Sequence, residues 1–194
     1  MKIINREELR NLIIKGITST KLNSMYDYSE VKSMDNLLRG LTHLTEIPTI
    51  NMTNVDSSES MFAYCKNIEE ITLLNTSDVF TMKNMFDNCR SLKTIKGLDS
   101  SSVVNMDAMF AECNSLVEVP HLDTSKVRDM TDMFYNCYNL KSIPDLDTSK
   151  LLYNSNIFFG CELLEYFNPY NFKKLDYAAL DNKFIREKYP ELYI

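Results

Sequence analysis

The sequence predicts an α/β solenoid, an array of 24-residue copies with one short parallel strand and one short helix each, closed by helical caps at both ends. Two periodic columns carry that reading. Cys65, Cys89, Cys113, Cys137 and Cys161 stand 24 residues apart without slippage, and Phe62, Phe86, Phe110, Phe134 and Phe158 keep the same step three residues earlier. A fixed period of this size marks a repeat array, because one unit cannot bury its apolar face and stacked units can. The third observation is a change of apolar spacing inside each copy, which divides it into a helix-like and a strand-like half.

The copy reads V-x-x-M-x-x-M-F-x-x-C-x-x-L-x-x-I-x-x-L-D-T-S-x, most clearly over residues 127–150. Met61, Met85, Met109, Met133 and Ile157 precede the phenylalanines, and Met82, Met106 and Met130 stand three residues before them, a column broken by Ser58 and Asn154. An earlier copy without cysteine runs through Val31, Met34, Leu37, Leu38, Leu41, Leu44 and Ile47, so the array has six copies, over residues 31–170. Leu41 fills the cysteine slot there, which predicts a slot that wants a modest apolar side chain.

Relative positions 1, 4, 7, 8 and 11 of the copy are apolar, the spacing of one helix face. Thr53, Ser77, Ser101, Ser125 and Ser149 precede this run as expected N-caps. Asn51, Asn75, Asp99, Asp123 and Asp147 suit side-chain-closed turns. The second half is too short for another helix, and Pro48, Pro120 and Pro144 limit a strand to a few residues. Short parallel strands are expected around Ile47, Ile71, Ile95, Val119, Ile143 and Phe167.

The columns of Leu122-Asp-Thr-Ser-Lys-Val127 through Met130 and Met133-Phe134 resemble the BspA-like branch of the leucine-rich repeat superfamily. That resemblance covers about three quarters of the chain. It implies a right-handed solenoid with a parallel sheet along one side, and ligand or protein binding in place of catalysis. Many of the relatives so implied are surface proteins.

Outside the array, Asn5-Arg-Glu-Glu8 reads as a capped helix start and Gly16 as its end, with Leu9, Leu12 and Ile13 inward. Residues 1–30 are therefore an N-terminal cap helix and its connector. Residues 171–194 hold the second cap, a helix over about 176–188 ended by Pro190. Glu7 and Glu8 interrupt any signal-peptide core, and the first cysteine is residue 65, so a cytoplasmic protein is expected and an extracellular one disfavoured. No membrane insertion is expected, since no stretch approaches 18 apolar residues.

The cysteines are expected to be reduced, buried and inert. Their count is odd, and they lack the paired spacing and histidine partners of a metal site. The Asp/Asn column lacks the glycine-rich nonapeptides of a calcium ladder. His43 and His121 match no catalytic spacing, so neither an enzyme nor a cofactor is expected. A net charge of −6 without a basic run argues against nucleic acid as a partner.

Partner recognition is left to the positions that do not repeat. Beside the strands these include Glu70, Glu118 and Tyr166. Phe80, Val104 and Leu152 take a position that is charged elsewhere, and either form an exposed apolar stripe or fill gaps between helices. Tyr135, Tyr138, Tyr153 and Tyr166 crowd the C-terminal third and mark it as the first choice for a binding surface. The expected function is a non-enzymatic protein-recognition module, an intracellular inhibitor or adaptor encoded by a bacterium or phage. The alternative is a bacterial surface adhesin or antigen of the BspA-like kind. The sequence leaves the partner and the oligomeric state open.

Overall fold

The computed structural model describes residues 1–166, 168 and 183–190. Its elements are β1 (Lys2–Ile3), α1 (Arg6–Ile14), α2 (Ser19–Met25), β2 (Tyr26–Asp27), β3 (Ile50–Asn51), β4 (Glu70–Leu74), β5 (Thr94–Lys96) and α3 (Lys183–Lys188). β1 pairs with β2, and β3, β4 and β5 form a second sheet, all in parallel.

The helix expected in the first half of each copy does not form. A helix would send each N–H back four residues. Here the N–H groups of Ser58, Ser60, Phe62 and Tyr64 instead donate sideways to the carbonyls of Thr81, Lys83, Met85 and Asp87, at 3.1, 2.9, 3.0 and 2.7 Å. The alternate groups of Met61, Ala63 and Cys65 close four-residue turns onto Ser58, Ser60 and Phe62. Ser60 and Tyr64 are left-handed, with φ of 55° and 65°, at the third place of a type II turn. Asn84 and Asn88, Ala108 and Glu112, Asp132 and Asn136 repeat this in the following copies. A left-handed residue every four positions excludes a right-handed helix, yet a string of turns brings the same columns inward. Apolar spacing alone does not separate the two.

The residues expected as N-caps have a different task. Asn51, Asp99, Asp123 and Asp147 accept the N–H of Thr53, Ser101, Ser125 and Ser149 at 2.8–3.1 Å, closing a turn with the side chain. The Ser backbone N–H, and after it the hydroxyl, holds Asp99 and Asp147 below the ordinary carboxylate range, and at Asp123 the hydroxyl leads. Between them, buried Thr76, Ser100 and Thr124 donate to the carbonyls of Asp99, Asp123 and Asp147 at 2.9, 3.0 and 3.0 Å. Each copy is thereby tied to the next at its corner.

Strand formation is also less even than expected. Ile71 and Ile95 are opposite each other in β4 and β5. No strand forms at Ile47, and β3 begins three residues later, paired to Leu73 and Leu74. At Val119 and Ile143 only a bridge forms, Glu118 to Ser142, continued by Ser142 to Tyr166. Pro120 and Pro144 follow directly and have no N–H to extend it. Phe167 lies outside the described residues. A second ladder of parallel bridges runs Ser33, Ser57, Thr81, Asn105, Asp129, Tyr153, one rung per copy.

The core is a set of columns. The five phenylalanines are fully buried and stack at centroid distances of 5.6, 5.5, 5.7 and 5.9 Å, with planes within 10° of parallel. Leu38 stands at their head. Ser58, which breaks the methionine column, is buried and spends its hydroxyl on the Thr81 carbonyl at 3.2 Å.

The cysteine slot asks for more than apolar bulk. Each Sγ donates to a carbonyl of the preceding copy: Cys65 to Leu38, Cys89 to Phe62, Cys113 to Phe86, Cys137 to Phe110, Cys161 to Phe134, at 3.0–3.2 Å. Leu41 has no such copy before it, because the position 27 residues back is Ile14, the last residue of α1. Burial pushes the Cys65 thiol up to about 11 and the Cys161 thiol up to about 12, and raises the three between them well above the ordinary value. All five therefore stay protonated and covered at pH 8. With a thiol reagent, the folded protein is expected to give no labelling on the time in which a free cysteine reacts fully, and all five in guanidinium. Stoichiometric labelling of the folded chain contradicts this.

α1 packs on the N-terminal end of the core, beside a helix that the sequence did not suggest. Asn5 caps α1 in a reciprocal box with Glu8, and Leu9 and Ile13 are buried. A second helix, α2, occupies what reads as a plain connector, capped by Thr18 and burying Leu22. Arg6 donates to the Asp35 carbonyl and fixes this cap to the first copy. At the other end α3 buries Ile185 in the core, and Lys188 reaches the Glu165 carbonyl at 3.4 Å. The rest of the expected 176–188 helix lies outside the described residues.

Left-handed Ala108 (φ 50°) offers a simple gain. Its counterparts are Asn36, Ser60, Asn84, Asp132 and Asn156, and all but Ser60 are residue types that tolerate this conformation. Ala108→Gly is expected to stabilise the protein by about 0.5–1 kcal/mol in chemical denaturation. A loss of stability would mean that the unfolded-chain entropy of glycine outweighs the relieved strain.

Candidate protein-binding surface

Because every copy turns the same columns inward, any column facing outward forms a row that runs the length of the array. Two such rows contain many of the residues singled out by the sequence.

The first is Lys32, Asp56, Phe80, Val104, Arg128, Leu152. Each of these, after the first, donates its N–H to the carbonyl of the one before, at 2.8–2.9 Å. Phe80 is 55% exposed and Leu152 65%, so the position does not fill a gap between elements, and the apolar residues stand on the outside. Tyr153 is next to it, at the end of the bridge ladder, and is exposed too.

The second row is the strand face, with Glu46, Glu70, Thr94, Glu118, Ser142 and Tyr166. Glu70 is engaged by Lys96 at 2.8 Å, and neighbouring Glu69 by Lys93 at 2.8 Å. These are exposed pairs that hold side chains in place more than they stabilise the fold. Glu118 is exposed. Glu46, Glu69 and Glu70 line a shallow groove with Thr45, Thr49 and Thr72.

The remaining residues flank the cysteines of the last two copies and come from different columns. Tyr135 stacks on Phe159 at 5.1 Å with planes 10° apart. Tyr138 is exposed one turn further on, and so is Leu163 in the last copy. Tyr166 follows, 69% exposed. Tyr135 and Phe159 thus pair across two adjacent copies, while exposed Tyr138 and Leu163 follow the cysteines of those copies and Tyr166 ends the strand face. Tyr153 stands at the end of the other bridge ladder.

Leu163 was not legible as a surface residue, because leucine fills core columns throughout this chain. Its position, two after the cysteine and one before the inward leucine, is held by Asn67, Ser91, Ser115 and Asn139 in the other copies, and that contrast was the available signal. His43 and His121 are both exposed and lie in different copies. Among the described residues no group of three or more His, Cys, Asp or Glu could hold a metal ion. No helix among them is long and apolar enough to cross a membrane.

No curated protein and no solved structure matches the chain. A family model described as "Mycoplasma protein of unknown function, DUF285" matches residues 13–116 and again 60–172. The second match begins 47 residues after the first, one short of two 24-residue copies, which is how a model of a repeated unit fits an array in more than one register. The two matches together span most of the sequence, and the chain belongs to this DUF285 family.

Proposed function

We propose that this protein is a non-enzymatic recognition module, an inhibitor or adaptor that binds another protein through the aromatic flank of its last two copies. We also propose that the stack is a right-handed solenoid of the BspA-like leucine-rich-repeat kind, acting in the cytoplasm. The observation that carries the binding role is the stacked Tyr135–Phe159 pair, with exposed Tyr138, Leu163 and Tyr166 in the same two copies. Large amphipathic rings held by a fixed backbone lose little entropy on binding, and Tyr is enriched at interface cores. Exposed Glu162 and Glu165 beside Lys141 give this patch a polar rim. Five thiols without disulfide partners suit a reducing compartment.

The test is capture of saturable partners from bacterial lysate by the tagged full chain, beside a Tyr138→Ala/Tyr166→Ala variant. A partner that binds the parent and is lost from the variant is the expected result. No saturable partner for either protein would remove the recognition role, and a partner held equally by both would move the site off this flank.

A further inference from the structure

The row from Lys32 to Leu152 matches itself when turned end for end. Its backbone ladder places the six residues one rung apart, about 4.8 Å each, so the row is about 24 Å long. Reversed against itself, it sets Phe80 opposite Val104 and Asp56 opposite Arg128, with Lys32 opposite Leu152. Two residues earlier in each copy, across the buried Val and Leu column, stand Glu30, Asn54, Asp78, Ser102, Lys126 and Lys150, all exposed except half-buried Ser102. In the same reversed register Glu30 meets Lys150, Asn54 meets Lys126, and Asp78 meets Ser102. No like charges face each other. In a parallel register every charge would face its own copy.

We propose that this face joins two copies of the chain in an antiparallel, two-fold dimer. Phe80 of each copy packs on Val104 of the other, and each Asp56 pairs with Arg128 across the contact. A two-fold interface requires this kind of self-complementarity, in which residue i meets j and j meets i. Among the described residues Asp56 and Arg128 make no ion pair within their own chain. Phe80 and Val104, at the centre of the row, supply the apolar area, and the flanking charges fix the register. A face this narrow lies at the small end of specific interfaces, so the dimer is weak and is sought at high concentration. It leaves the aromatic flank uncovered and is independent of the function proposed above.

Sedimentation velocity of the full chain, from about 10 to 500 µM, tests the contact. The parent is expected to move from monomer toward twice its 22.6 kDa mass. Asp56→Arg sets Arg against Arg128 at both symmetry-related places and is expected to weaken association by about tenfold or more. Arg128→Asp sets Asp against Asp56 and does the same. An equimolar mixture of these two variants restores every opposite pair and is expected to dimerise like the parent. Both positions are exposed, and an unchanged thermal unfolding midpoint for each variant confirms that it is folded. A parent that stays monomeric at every concentration overturns the proposal, as does a dimer indifferent to the single swaps or a mixture that fails to recover.

Discussion

Truncating Phe110 to alanine is expected to remove about 3–5 kcal/mol of unfolding free energy, a large share of what a domain of this size possesses. The ring is fully buried, lies 5.5 Å from Phe86 on one side and 5.7 Å from Phe134 on the other, and is nearly parallel to both. Its neighbours are held at the rung spacing by backbone bonds, such as Phe86 N–H to the Met109 carbonyl at 3.0 Å and Phe110 N–H to that of Met133 at 3.0 Å. They cannot collapse into the space, so the cavity persists and its cost adds to the lost burial. Phe110→Leu should cost far less, because Leu38 already heads this column in the first copy. Phe80→Ala, on the exposed row, should change stability by no more than about 0.5 kcal/mol in dilute solution. Urea denaturation of the three variants checks the ranking. A loss at Phe110 no larger than that at Phe80 would mean that the stacked rings do not form the core.

Gly97→Ala is expected to destabilise by about 3 kcal/mol or more, while Gly40→Ala costs about 1 kcal/mol or less. Both glycines are left-handed, with φ of 73°. The difference lies in what a Cβ would meet. At Gly40 nothing lies within 4 Å, so only the backbone preference is felt, offset in part by a less flexible unfolded chain. At Gly97 the Cβ would fall 2.0 Å from the Leu73 carbonyl oxygen and 3.1 Å from its carbon. Leu73 belongs to β4, which is bonded to β3 on one side and β5 on the other, and cannot retreat. The chain must therefore shift at the junction of the longest strand pair. Thermal unfolding of both variants separates the cases, and equal shifts in midpoint would show that β4 can give way.

The columns of this protein were readable without coordinates. A 24-residue period and the identity of the inward residues name the core, because a residue repeated in phase through every copy must meet the same environment each time. The Cys, Phe and Met columns are buried as their types demand, and so is the Leu column that follows the cysteines from Leu92 to Leu164, whereas Leu74 in the last column is exposed. The Asn5–Glu8 cap was readable for the same reason, since its chemistry is local. So was the turn role of Asp99, Asp123 and Asp147, which involves residues two apart.

The conformation that carries the columns was decided elsewhere. Positions 1, 4, 7, 8 and 11 face one way in a helix and in a string of turns alike. What selects turns is that N–H groups of Ser58, Ser60, Phe62 and Tyr64 find carbonyls 23 residues on, and such partners exist only when copies stack. A local trace was present: Asn84, Asn88 and Asn136, with Gly40 and Gly160, stand at the left-handed places directly before core columns. Asn and Gly at those places argue for turns over helix. The thiol–carbonyl bonds, the second cap helix and the backbone collision at Gly97 are likewise tertiary facts. So is the exposed row. Phe80, Val104 and Leu152 look in sequence like three lapses in a charged column, and stacking turns them, with Asp56 and Arg128, into one continuous surface. The sequence determined which residues are inside, since burial repeats with the period; stacking alone decided which outward residues became neighbours, since these are 24 residues apart along the chain and one rung apart in space.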